Sequence, residues 1–464
     1  MASIADDHQG MPVPRRHFAI AATTLGTVLV TVDAGMVNVA LPTLSRDLHV
    51  EPSAAVLIVT VYQLVMIMAV LPMSAIGDRI GHRRLFLMGL TLYVCATFFC
   101  FFARSLPFLV LVRGFQAVGA AAALSVSSAM VRAIYPRHQL GRGLGINSVA
   151  ASSAAVLAPT LGGLILGIAP WPFLFAVVIP FGLAAILLGR KALPEPDTHE
   201  EPFDVLAAVL CASTFGVGVA GLESAVHGDS PVISVALVVL AAVIGTIFVR
   251  RELSQSRPVL PVDLLGQREL ALTSTGLFAA SLAIMCLMLT LPFRLQQSYG
   301  FSPAEAGLML APWSMVMMGV APLAGVLSDR IAPGYIGAVG AVIGVAGLAA
   351  LSLLPEHPSA FDVMWRVAIC GVGFGAFMSP NARHIIGAAP MERAAAAGAL
   401  SQTTRMLGQV LGATLCSALL AMGVGAGSVP PLIAAGLLLI AGLFGLMAVG
   451  RPWRRPAPEE LPDL

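Results

Sequence analysis

Met73–Leu85 reads MSAIGDRIGHRRL. It joins two apolar runs, each long enough to cross a bilayer. Asp78, Arg79, Arg83 and Arg84 crowd into a turn punctuated by Gly77 and Gly81. A related turn recurs in the second half of the chain, where Ser328-Asp329-Arg330-Ile331 answers Gly77-Asp78-Arg79-Ile80. Each turn follows the second apolar span of its half, so the stretch predicts a duplicated membrane protein.

Composition agrees. Of 464 residues, 58% are hydrophobic and only 11% charged, with mean hydropathy +0.89. Soluble proteins carry about 25% charged residues. A soluble core of this size could not hide so much apolar surface, so lipid must solvate most of it. The six cysteines all fall in apolar runs without metal-ligand spacing, which reads as small core or lipid-facing residues. Arg15-Arg16-His17-Phe18 resembles a twin-arginine export signal, but the apolar run that follows is too long and carries Asp33. Anchoring of the first span is the better reading.

A spanning helix needs about 20 mostly apolar residues. Fourteen such runs are predicted, at 17–41, 54–76, 84–104, 107–133, 142–168, 171–190, 205–224, 231–249, 271–295, 304–327, 335–354, 361–382, 394–423 and 430–450. Basic residues crowd one set of loops. These carry Arg79, Arg83, Arg84, Arg132, Arg137, Arg142, Arg190, Lys191, Arg250, Arg251, Arg257, Arg268, Arg330, Arg383 and Arg393, and both tails join them. The opposite loops hold little beyond Arg46 and Arg104. By the positive-inside rule, both termini are expected in the cytoplasm. Matching Asp78 to Asp329 aligns spans 1–6 with spans 9–14 in parallel, and leaves spans 7 and 8 as an inserted hairpin. The expected division is a bundle over 1–192, a linker and hairpin over 193–269, and a second bundle over 270–464. A substrate cavity is expected between the bundles near the midplane.

Charges within spans are costly and point to function by default. Asp33 lies mid-span in VTVDAGMVNVALP. It is either a cavity carboxylate that binds and releases a proton or a structural acid held by an arginine. Pro42 is expected to end that helix. Arg113, with Gln116 one turn on, cannot deprotonate and needs anions or carbonyls. Asp33 is its natural partner. Arg405, flanked by Gln402 and Gln409, lies inside span 13, where Gly408 and Gly412 read as helix-packing residues. Glu223 reads as a solvated helix end. Pro159, Gly162 and Gly163 suit a helix that bends and packs closely. The repeated Asp-Arg-Ile turns read as a gate, with Asp78, Arg79, Arg83, Asp329 and Arg330 exchanging partners between states. Gly371-Val372-Gly373-Phe374-Gly375 is no phosphate loop, since no strand precedes it, and no GK[ST] loop exists to take ATP.

These residues resemble the major facilitator superfamily, and within it the fourteen-span drug:proton antiporters. Ser74–Leu85 is similar to the family's loop between spans 2 and 3, with Ser74 for the opening glycine and His82 for a basic residue. Asp33–Pro42 resembles its span-1 motif, with Gly35 where threonine is usual. Arg113, Gln116 and Gly119 match its span-4 motif, which the family implicates in proton transfer. Ala158-Pro159 with Gly162-Gly163 resembles its span-5 antiporter motif, with Ala154 and Ala158 for two glycines. Asp204 and Pro258–Leu265 also resemble the family.

The resemblance implies an all-α polytopic membrane protein of two six-helix bundles plus the hairpin. It implies a proton-coupled exporter of small amphipathic compounds, working by alternating access in a bacterial cytoplasmic membrane, without enzymatic activity. Asp33 and Arg113 would couple protons. Asp33, Asn38, Gln116 and Arg405 would face the substrate. The expected partners are a small molecule, protons and the bilayer, with no cofactor, metal or nucleic acid and a monomeric state. A dedicated exporter or importer of one metabolite, or a membrane sensor, is the rival expectation. The second membrane acid often tied to cationic drugs in this family is missing from spans 9–14.

Overall fold

The computed structural model describes residues 11–136, 139–194, 204–228, 230–255, 260–328, 330–389 and 393–449. Among them, 14 helices are long and apolar enough to span a membrane. Spans 1 to 6 are Val13–Asp47, Pro52–Ile80, His82–Phe101, Leu106–Ile134, Gly145–Ile168 and Phe173–Ala192. Spans 7 and 8 are Leu206–Val226 and Pro231–Glu252. Spans 9 to 14 are Arg268–Ser298, Pro303–Leu327, Pro333–Ser352, Ala360–Ala388, Ala396–Ala421 and Val429–Ala448.

Helices are the physical answer to an apolar solvent, because each backbone N–H and C=O must find its partner within the segment. The helix starts show the familiar chemistry. Proline occupies the first helical turn of spans 1, 2, 4, 8, 10, 11 and 14, where its missing N–H costs nothing. Ser302 with Glu305 and Ser359 with Asp362 form capping boxes at spans 10 and 12. Span 4 breaks briefly at Val126, and span 9 closes in a π-helical turn at Arg294–Ser298.

One expectation fails here. Pro42 does not end the first helix, which runs on to Asp47. A proline removes one donor and still leaves the rest of the ladder. Pro42 is buried among side chains that hold the last turn in place.

The first six spans pair 1 with 5, 1 with 6, 2 with 4, 3 with 4 and 3 with 6. The last six repeat this scheme: 9 with 13, 9 with 14, 10 with 12, 11 with 12 and 11 with 14. The two sets meet through span 5 on span 10 and span 2 on span 13. Span 7 leans on spans 2 and 13, and span 8 packs chiefly on span 7. Span 8 turns Val232, Ile233, Val235 and Val239 outward, as a lipid-facing helix does.

Antiparallel traversal gathers the turns bearing Arg79, Arg83, Arg84, Arg190, Arg330 and Arg383 on one face, called below the arginine-rich face. Arg137, Arg257, Arg451, Arg454 and Arg455 lie outside the described residues. The contacts between the two sets of spans collect near the opposite face. There a Cβ on Gly163 of span 5 would stand 2.6 Å from the Pro303 carbonyl oxygen of span 10, and one on Gly307 would stand 2.6 Å from the Pro159 carbonyl oxygen. The Gln296 side chain donates to the Val39 carbonyl at 3.1 Å, and Ser417 donates to the Ser53 carbonyl at 3.1 Å.

Candidate functional site

Asp33 and Arg113 meet inside the first six spans. Arg113 Nη1 of span 4 donates to Asp33 Oδ2 of span 1 at 2.5 Å. The same nitrogen lies 2.7 Å from Gln116 Oε1, one helical turn on. Gln116 Nε2 donates to Thr97 Oγ1 of span 3 at 2.8 Å, and Thr97 Oγ1 donates in turn to the Tyr93 carbonyl. The guanidinium lies 4.1 Å over the Tyr62 ring of span 2 and 5.8 Å from the Phe175 ring of span 6. Five spans therefore converge on one ion pair.

Burial is complete: Asp33 and Gln116 are 0% exposed and Arg113 is 1% exposed. Asp33 Oδ1, Arg113 Nε and the Tyr62 hydroxyl have no hydrogen-bond partner among the described residues. Two charges taken out of water lose several kcal/mol of hydration each, which their attraction offsets only with good geometry. Arginine stays charged. A proton arriving at Asp33 would therefore leave the Arg113 cation unpaired in an apolar interior.

The other residues expected to face substrate lie apart from this pair. Asn38 is half-buried on span 1. Arg405 is half-buried on span 13 and donates to Gln402 Oε1 at 2.8 Å. Gln402, Arg405 and Gln409 fall on one stripe of that helix. To one side of the stripe, Met406 and Val410 pack with Ile67 and Val219. To the other, a Cβ on Gly408 would stand 2.6 Å from the Phe278 carbonyl oxygen of span 9, which gives the glycines their packing role.

A cavity of about 430 Å³ opens between spans 5, 10 and 12. Its walls include Ser148, Ser152, Ser314, Met317, Met318 and Ser379. Sequence reading missed these residues because none carries charge. Their one signal was spacing: Ser148, Ser152 and Ala155 share a helical face. Serine hydroxyls among methionine side chains make an adaptable lining for amphipathic molecules.

The turn residues make contacts within their own turn or bundle. Asp78 pairs with His82 at 3.0 Å within its own turn, and the carboxylate is half exposed. Arg83 donates to the Arg190 carbonyl of span 6 at 2.7 Å. Arg79 and Arg330 are exposed, and Asp329 lies outside the described residues. Across spans 10 and 12, Arg383 donates to the Gly325 carbonyl and to Ser328 Oγ. Pro159 sits within an unbroken helix. Gly162 touches Met36 of span 1 while Gly163 touches span 10, so the pair packs inside its own bundle and across to the other. Glu223 overturns its expectation. It is 8% exposed, not solvated, because span 13 covers the end of span 7.

Residues 23–413 match the family model of the Major Facilitator Superfamily. The chain belongs to that superfamily. It is 40% identical over 451 residues to the uncharacterized transporter YebQ of Escherichia coli (strain K12), covering 96% of this chain and 98% of that one. It is 28% identical over 399 residues to the riboflavin transporter RibZ of Clostridioides difficile (strain 630), covering 86% of each. It is 30% identical over 409 residues to the multidrug resistance protein Stp of Mycobacterium tuberculosis (strain CDC 1551 / Oshkosh), covering 87% of this chain and 75% of that one. Among solved structures, it superposes with a TM-score of 0.71 on an inward-facing, unoccupied bacterial homologue of the human lysosomal transporter Spinster. That match is 17% identical, covers 94% of this chain and 98% of the other, and speaks to fold alone. The major facilitator chain described here is thus a multi-pass membrane transporter.

Proposed function

We propose that this transporter is a proton-driven exporter of small amphipathic compounds in the bacterial cytoplasmic membrane. The observation that carries the reading is the buried Asp33–Arg113 pair, the one acid–arginine contact fully sealed within the described spans. The arginine-rich face is taken as cytoplasmic by the positive-inside rule. The halves are then closed outside and parted inside, where the serine- and methionine-lined cavity receives substrate. The working frame is two bundles, residues 1–192 and 270–464, with residues 193–269 as linker and hairpin, acting as a monomer. Protonation of Asp33 from outside favours the inward-facing state. Substrate binding inside favours proton release and outward opening, and differential affinity for the two states couples them. In this cycle the Asp78 and Arg330 turns close the cytoplasmic side only in the outward-facing state. Likeness to Stp supports a multidrug substrate range.

Likeness to RibZ supports a second reading, transport of a single metabolite. Inside-out vesicles with an imposed pH gradient separate them. The exporter accumulates several unrelated dyes or drugs, and Asp33→Asn abolishes the accumulation. Undiminished gradient-driven accumulation by Asp33→Asn sinks Asp33 as the coupling acid, and saturable transport of one compound alone favours the metabolite reading.

A further inference from the structure

Glu223 lies one turn before the end of span 7, buried where spans 2, 7 and 13 meet near the face opposite the arginines. Ser417 Oγ of span 13 is 3.4 Å from Glu223 Oε2 and 3.1 Å from the Ser53 carbonyl oxygen at the start of span 2. A hydroxyl has one proton to give. An ionised carboxylate only accepts, so it and the Ser53 carbonyl compete for that single proton. A protonated Glu223 donates to Ser417 Oγ, and Ser417 is then free to donate to Ser53. Only the neutral acid lets both contacts be hydrogen bonds together.

The surroundings offer little to an ionised Glu223. Among the described residues its Oε1 has no hydrogen-bond partner; the buried Thr414 hydroxyl, one turn before Ser417, is likewise unpartnered but faces the carboxylate and is a second donor it could use. Span 13 brings the buried thiol of Cys416, and its one charged residue among those described within the span, Arg405, lies about three turns away. Span 2 begins beside exposed Glu51, and span 8 brings Ser234, bonded to Ser224. His227, which caps the end of span 7, is the one cationic candidate among the described residues. Its Nδ1 is 2.9 Å from the Glu223 backbone oxygen but 3.7 Å from the carboxylate, beyond hydrogen-bond reach. A cleft of about 570 Å³ between spans 7 and 13, lined by Leu222, Val226, Thr414 and Met422 among others, opens beside it.

We propose that Glu223 is a proton-binding site that fastens the span 7–8 hairpin to both bundles, protonated while the outer end is closed and ionised when that end opens. The proposal deepens the proton-coupled reading and rests on it for its place in the transport cycle. The proton itself can be detected without transport.

The test uses the full chain in nanodiscs. Infrared difference spectra of wild type against Glu223→Gln at neutral pH should show the C=O stretch of a protonated acid lost in the variant. Spin labels at Ile168→Cys and Phe361→Cys, in a Cys95→Ser background, report opening of the outer end as pH is raised. The amide of Glu223→Gln can still donate to Ser417, so this variant should stay closed across the pH range. Ser417→Ala should shift the opening midpoint down by about one pH unit, the equivalent of one hydrogen bond. Absence of the acid band, or pH-driven opening that survives Glu223→Gln and disappears in His227→Gln, overturns the proposal. Asp33→Asn keeps the two ideas apart: it should leave the Glu223 acid band in place while holding the outer end closed through its own neutral side chain. If instead Asp33→Asn leaves coupled accumulation intact while Glu223→Gln loses the acid band, the Asp33 reading fails and this one stands.

Discussion

The two six-span sets share a packing scheme but not its chemistry. In the first, Arg113 stands about two turns into span 4 and crosses to Asp33 on another helix. In the second, Arg366 stands at a similar depth in span 12, yet pairs with Asp362 on its own helix at 3.3 Å and rests 4.4 Å from the Trp365 ring. Close helix contacts are kept in both: Gly119 meets Gly89 and Tyr93 in one, Gly373 meets Gly344 in the other. Duplication has preserved the backbone crossings, which every conformation needs. Among the described residues, the buried acid–arginine pair between helices is kept in one copy only; the other joins span 9 to span 12 through Glu269 and His384, where the carboxylate is half exposed.

The comparison can be broken most severely at the pair itself. Removing one partner leaves a buried charge, a loss of about 3–5 kcal/mol. Arg113→Ala should therefore lower the melting temperature in detergent far more than Arg366→Ala. Equal shifts from the two substitutions would mean that the bundles are not chemically distinct. A smaller effect is expected where the bundles touch. A valine at Gly307 would press on the Pro159 carbonyl and the Gly163 backbone, so Gly307→Val should cut transport about tenfold while the protein still folds, consistent with about 1.4 kcal/mol on a transport step. Unimpaired transport would show that spans 5 and 10 separate readily at this crossing.

The smallest effect concerns Asp263, before span 9, and Arg393, before span 13. The hydrogen bond from Arg393 holds the Asp263 carboxyl below its ordinary range. A depressed value means that the pair contributes above the ordinary aspartate value of about 3.9, and that this contribution fades as pH falls through the lower one. Both groups are partly exposed, so Asp263→Asn should cost at most about 1 kcal/mol. The cost should be the same at pH 7 and pH 5. A cost that disappears by pH 5 would contradict the direction of the shift.

The sequence made the spans legible because composition and length leave a lipid-solvated chain few alternatives. Asp33, Arg113 and Gln116 were legible for a related reason, since polarity within an apolar run stands out. Their meeting was not, because residues 80 apart in the chain are joined only by helix packing. Glu223 was misread because position along one helix says nothing of what a neighbouring helix covers. Ser148, Ser152 and Met318 escaped notice because neutral side chains do not interrupt an apolar pattern. Pro42 was taken as a stop, when a buried final turn tolerates one missing donor.

The joint at Gly81 carries a mechanical consequence. Span 2 ends at Ile80 and span 3 begins at His82, so one residue, at φ 95°, is the whole connection. Consecutive Cα atoms are about 3.8 Å apart, so this joint has almost no slack. Any tilt of span 2 against span 13 must be handed to span 3 at once. The two helices act as a single lever, with its elbow among the arginines.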